Sequence, residues 1–182
     1  MALLRTYEID SSRSTGKLRV GDTDVGGEFR ELSGNLVFDL EDVSACSIHL
    51  FSAIARIGLE NTNVRNENGD SSDTLDWRRI HFVSWRFREI GRRDYWVPGA
   101  LRIGDLAKVE SLRFRGPTPE IADAHGRLRA AATAVAKIEA SRIRLALDAQ
   151  QAGDPAAGAE ATLRFQIELV RRMPAESKRV AA

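Results

Sequence analysis

Apolar and polar positions alternate through most of this chain. Leu36, Phe38 and Leu40 share one face of the stretch NLVFDL, and Ile48, Leu50 and Ile54 share one face of SIHLFSAI, with Ser52 between them. Val83, Trp85 and Phe87 alternate with Ser84, Arg86 and Arg88. Val97, Gly99, Leu101 and Ile103 fall on every second position of a run that breaks at Gly104-Asp105 before a second run begins. The cleanest period of two is near the end, where Leu163, Phe165, Ile167 and Leu169 alternate with Arg164, Gln166 and Glu168. Such runs are strands with one buried and one wet face. Turn residues bound them at Gly26-Gly27, Ser33-Gly34, Gly91, Gly116-Pro117 and Gly153-Asp154-Pro155. Short strands at this spacing predict an antiparallel sandwich or barrel, not a βαβ fold.

Two segments read differently. Residues 61–76, NTNVRNENGDSSDTLD, are polar and predict a long loop with one helical turn. Residues 121–151 are rich in Ala, Leu and Arg, all good helix formers. Yet Leu128, Ala130, Ala132 and Ala134 alternate with Arg127, Arg129 and Thr133, and Ile143, Leu145 and Leu147 alternate with Arg142 and Arg144. Sheet context overrides weak propensity, so this segment predicts two strands. The domain is expected over residues 1–173, with a loosely held tail over 174–182.

Composition narrows the picture. A chain of 182 residues that is 43% hydrophobic has the length of one domain and enough apolar side chains for a core. Its 27 basic and 26 acidic residues give a net charge of +1, so no global field draws it to nucleic acid or membranes. No apolar run reaches the roughly 18 residues of a membrane span. The N-terminal stretch MALLRTYEID turns polar at Arg5, which predicts no signal peptide and a cytoplasmic protein. Cys46 is the lone cysteine, so no intrachain disulfide framework exists.

Chemistry-bearing motifs are sparse. His49, His81 and His125 are scattered, with no HExxH or CxxC pair, and read as ordinary strand or turn histidines. A calcium-loop reading of the 61–76 segment fails, because Val64 and Leu75 stand where the loop wants Asp and Glu. There is no GxSxG elbow, no glycine-rich phosphate loop and no signature lowering the Cys46 pKa. The expectation is a protein without catalytic residues, metal or cofactor, and so not an enzyme. Arginine pairs spaced by two recur at Arg86/Arg88, Arg113/Arg115, Arg127/Arg129 and Arg142/Arg144. In strands each pair decorates one face. With carboxylates interleaved and no aromatic platform beside them, they read as a solvated outer surface whose stems cover apolar area.

The order of these segments resembles the YceI-like family. YEID at Tyr7–Asp10 is similar to the family's opening aromatic, spacer and Asp. GGEFRELSGNLVFD matches its G-x-F and G-x-[IVL]-x-F-D pattern through Gly27, Phe29, Gly34, Leu36, Phe38 and Asp39. CSIHLFSAIARIGLENTNVR resembles a strand followed by a short helix, and WRRIHFVS resembles the I-x-F-x-S stretch at Ile80, Phe82 and Ser84. PGALRIGDLAKV is similar to the family's hairpin through Gly99, Leu101, Ile103, Lys108 and Val109, with the turn at Gly104-Asp105. Ala136-Lys137-Ile138-Glu139 stands where members carry Asn-Arg-x-Asp.

The resemblance implies an antiparallel lipocalin-like β-barrel of about eight strands with a short helical segment, holding a long-chain isoprenoid or other apolar lipid. On the alternating faces, the expected wall is Leu36, Phe38, Leu50, Trp85, Phe87, Leu101, Ile103, Phe165 and Ile167. Burying one CH₂ contributes about 0.8 kcal/mol, so a five-carbon isoprene unit offers roughly 3–4 kcal/mol before ordering costs. The alternative is a barrel filled by these same side chains, serving as a non-enzymatic interaction or scaffold module.

Overall fold

The structure, a computed structural model, describes residues 4–20, 23–58, 79–103, 106–139 and 160–173. Among these residues eleven strand segments appear in chain order: β1 (Arg5–Ile9), β2 (Thr15–Val20), β3 (Thr23–Phe38), β4 (Ser47–Gly58), β5 (Arg79–Ser84), β6 (Arg88–Gly91), β7 (Asp94–Ile103), β8 (Leu106–Arg115), β9 (Ile121–Ala122), β10 (Leu128–Glu139) and β11 (Glu160–Arg171). Among the described residues the helical structure is one 3₁₀ turn, Val43–Ala45. Every pairing is antiparallel, and the ladder runs β2, β3, β4, β5, β7, β8, β10, β11 and back to β2. The protein is therefore a closed, all-β antiparallel barrel of eight lanes, its ladder returning to the strand where it starts.

Three lanes are broken. β1 and β2 lie in one lane, both pairing β11 and β3. β5 and β6 both pair β7, and β8 and β9 both pair β10. Turn chemistry marks each break: Asp10–Ser14 in the first lane, Trp85–Phe87 in the second, and the stretch beginning at Gly116-Pro117 in the third. Ser33-Gly34, expected to bound a strand, instead lies within β3 at a register shift against β4. Gly34 has φ +137°, and a Cβ there would overlap the His49 carbonyl oxygen. The residue lets the two backbones close at an irregular point of the ladder. Leu40, expected on the face of Leu36 and Phe38, is past the strand end and exposed.

The alanine-rich segment forms a strand over Leu128–Glu139, as its period of two predicts. Ala130, Ala132, Ala134 and Ala136 point inward and pair with Leu169, Ile167, Phe165 and Leu163 of β11. Burial against that neighbour outweighs the helical preference of alanine. Ile143, Leu145 and Leu147, the second expected strand, lie outside the described residues, as do the 61–76 segment and the Gly104-Asp105 turn. Ile103 and Leu106 pair on either side of that turn.

One end of the barrel, the base, gathers the start of β7 and the ends of β3, β8 and β11. Polar groups stitch it together. Asp10 accepts from the Ser12 N–H at 3.1 Å and from Arg129 Nη1 at 2.9 Å. Arg129, with its side chain 11% exposed, also donates through Nε to Asp123 at 2.8 Å. Asp39 accepts from the N–H groups of Glu41 and Asp42 at 2.8 and 3.1 Å and so shapes the loop leaving β3. At the other end, the rim, the connections 21–22, 59–78, 104–105 and 140–159 all lie outside the described residues.

Candidate functional site: the barrel lumen

Eight of the nine wall residues expected from the sequence meet in one buried cluster: Leu36, Phe38, Leu50, Phe87, Leu101, Ile103, Phe165 and Ile167. The exception is Trp85, which is 57% exposed and does not line the lumen. The reason is a change of phase. Ile80, Phe82 and Ser84 are the inward residues of β5, and the Ser84 hydroxyl accepts from the Ile48 N–H at 2.8 Å. Trp85 follows at the lane break, with its own N–H donating to the Pro98 carbonyl at 2.9 Å. The break adds a residue, so Phe87 turns inward while Val83 and Trp85 face out. Ile54 lies among residues whose side chains are outside the description.

Toward the base the lumen is closed by aromatic rings. Phe87 sits edge-on to Phe38, Tyr95 and Phe114 at centroid distances of 6.4, 5.7 and 5.4 Å, and Phe38 meets Tyr95 at 5.6 Å. These are favoured aromatic geometries. Further along, Phe29 and Phe165 pair at 5.6 Å above Gly16, where a Cβ would come within 2.7 Å of the Phe29 ring. Phe82 covers Gly99 in the same way, its Cζ 2.6 Å from the position of an added Cβ. The β10 wall, next to Phe165, is low: four inward alanines in succession, then Ile138 toward the rim.

The ladder joins β8 to β10 at Arg113–Arg115 against Val135–Thr133, and among the described residues their register extends no further toward the rim. On β8 that unzipped stretch carries Glu110 and Lys108, which lie opposite the inward Gly99 and Leu101 and so share the lumen face. Lys108 Nζ is 3.3 Å from Glu110 Oε2. That oxygen is buried and has no hydrogen-bond geometry to any donor. Reading the sequence missed this pair. The signal was present, since counting back by twos from Phe114 gives Leu112, Glu110 and Lys108 on the inward face.

The reactive groups lie elsewhere. Cys46 is buried, accepts from the Asp39 N–H at 3.2 Å, and has its thiol pKa pushed up by burial, the reverse of an activated nucleophile. His81 stacks on Phe51 at 4.1 Å on the outer face, and burial lowers its pKa. Among the described residues no group of His, Cys, Asp and Glu has the arrangement to hold a metal. Chemically the inward face is mostly apolar, with one charged pair where β8 and β10 part.

No family model matches the sequence, and no curated protein matches it. Solved structures do match the fold. The crystal structure of Burkholderia cenocepacia BcnA superposes with a TM-score of 0.64 at 18% identity, covering 88% of this chain and 98% of that one. The Campylobacter jejuni YceI protein superposes with a TM-score of 0.60 at 17% identity, covering 83% of this chain and 87% of that one. A cysteine variant of the Campylobacter protein, solved with a monobromobimane guest, gives a TM-score of 0.61. The fold is thus YceI-like. What these proteins share with this chain at such identity is the barrel.

Proposed function

We propose that the barrel binds a long apolar lipid, isoprenoid-like in character, and acts as a carrier with no chemistry of its own. One observation carries the reading: a closed barrel whose inward positions are mostly apolar from the aromatic base to Ile103 and Ile138, with a wall of successive alanines beside larger side chains. A barrel of eight strands has the width to hold one small ligand. An unbranched or isoprenoid chain suits an alanine wall, because burial is proportional to apolar area and needs no directional partner. Mass spectrometry of an organic extract of the purified protein tests this. A stoichiometric apolar molecule is expected, and its absence, together with failure of the delipidated protein to take up a polyprenol or a fluorescent fatty acid, overturns the carrier. The reading keeps the cytoplasm as the place of action, which fractionation of cells producing the chain tests.

The filled-barrel reading has its own support. Phe82 over Gly99, and Phe29 with Phe165 over Gly16, fill the space beside the interior glycines with rings. On that reading the protein is a scaffold or interaction module, and the same extract is empty.

A further inference from the structure

The outward face of β5, β7 and β8 differs in kind from the rest of the barrel surface. Ladder register places Trp96 between Arg88 and Arg113, Ala100 between Val83 and Val109, and Arg102 between His81 and Ala107. Trp85 is tied to Pro98 between the first two rows. Large apolar side chains stand in solvent here: Trp85 is 57% exposed, Trp96 42%, Val109 59%, and Ile90 on the neighbouring β6 is 48% exposed. Scattered exposed apolar residues are ordinary, but adjacency on three neighbouring strands makes a patch, and patches mark interaction sites.

Among the described residues, positive charge predominates on this face. The carboxylate in phase with these outward positions is Asp94, and Arg113 Nη2 and Arg115 Nη2 hold it at 2.6 and 3.2 Å. Glu89 pairs with the inward Tyr95, in the opposite phase from Arg88, and is itself solvent-exposed. Arg86, Arg88, Arg92, Arg93 and Arg102 form no ion pair among the described residues. The opposite wall is mixed, with Lys137 bonded to Glu160 at 2.7 Å and Arg164, Gln166 and Glu168 in the outward phase of β11. With Trp85 exposed, an aromatic platform does accompany the arginine pairs Arg86/Arg88 and Arg113/Arg115.

We infer that this face docks the protein on an anionic lipid bilayer. Indole rings with adjacent arginines are the composition of the membrane interface, the rings at headgroup depth and the guanidinium groups on lipid phosphates. A second copy is disfavoured, because a two-fold contact would set the same cationic face against itself. A single-stranded nucleic acid would use the tryptophans and arginines, but it leaves Ile90, Val83 and Val109 without an apolar partner. Docking here also brings the unzipped side of β8 toward the bilayer.

Co-sedimentation of the full chain with vesicles of phosphatidylcholine alone, or of phosphatidylcholine with phosphatidylglycerol, tests the inference. Binding is expected only with phosphatidylglycerol, weakening as sodium chloride rises, with tryptophan emission quenched by brominated lipid. Arg88→Glu should lower the partition coefficient by more than about fivefold, the factor one basic side chain contributes at an anionic surface. Trp96→Ser should abolish the quenching component from that ring. Both positions are exposed, and an unchanged thermal melt confirms that the variants fold; if Trp96→Ser does not, Trp85→Ser replaces it. Equal binding to neutral vesicles, no binding to anionic ones, or an Arg88→Glu variant that binds undiminished overturns the inference. So does capture of a single-stranded oligonucleotide under conditions where vesicles are ignored, or a dimer in sedimentation velocity that Trp96→Ser dissolves.

Discussion

The Tyr7 hydroxyl donates to Glu120 Oε1 at 2.7 Å across 113 residues of sequence, joining the first strand to the segment between β8 and β9 at the base. Glu120 Oε2 is also held by Arg171 Nη1 at 3.0 Å and Arg5 Nη1 at 3.4 Å, so one carboxylate ties together the beginning, middle and end of the chain. Burial, then the bond to Glu120, pushes the Tyr7 pKa up to about 12. The folded state therefore prefers the neutral phenol. Its contribution is whole below the unfolded value near 10 and is lost as pH rises through about 12. Tyr7→Phe should cost about 0.5–1.5 kcal/mol in urea denaturation at pH 7 and should flatten the stability loss above about pH 10.

Asp94 gives the opposite sign. Its hydrogen bonds with Arg113 and then Arg115 lower the carboxyl pKa to about 2. The stabilisation is complete above the unfolded value near 4 and disappears as pH falls through about 2. Asp94→Asn should remove that part of the acid dependence. Comparing melting temperatures of the two proteins at neutral pH and in the acid window reads it directly: the gap between them should narrow as pH falls.

Two glycines should respond differently to alanine. At Gly99 an added Cβ meets the Val83 carbonyl oxygen and Phe82 Cζ, so backbone and ring must both move. Overpacking of that kind costs roughly 1–3 kcal/mol. Gly126 has φ +74° but nothing within 4 Å, so its substitution carries only conformational strain, about 1–2 kcal/mol. Denaturant midpoints should separate the pair, with a further signature at Gly99: displacement of Phe82 changes the aromatic near-UV spectrum, whereas Gly126→Ala leaves it intact.

How far the sequence was legible follows from where tertiary packing agrees with local pattern. Val97, Gly99, Leu101 and Ile103 alternate without interruption and are all buried as read. The segment at 128–139 is legible through its alternation, because burial against β11 outweighs its helix-forming composition. Trp85 was misplaced because a lane break leaves no mark in a simple count by twos, and the same error hid the aromatic half of the cationic face. Glu110 and Lys108 escaped because a charged side chain is read as outward by default, although both share the inward strand phase, Glu110 half-buried and Lys108 reaching solvent. Asp10 and Asp39, noticed only as parts of a resemblance, have local work: each carboxylate collects N–H groups of the turn that follows it.

Ala136 offers the sharpest test of whether the lumen is occupied or filled. It is buried beside the point where β8 and β10 part, and it pairs with Leu163 on β11. Ala136→Leu adds three carbons on the inward face. In a filled barrel those atoms have nowhere to go, and the substitution should cost roughly 1–3 kcal/mol, as overpacking does elsewhere. In a barrel that holds an apolar chain, the leucine occupies ligand space instead. The delipidated variant should then match or exceed the stability of the delipidated parent, since added apolar area is buried, while ligand recovered in an organic extract falls. Ala131→Leu, in the outward phase of the same strand, is the control and should change neither. A variant that loses stability and keeps its ligand would put the cavity somewhere other than along β10.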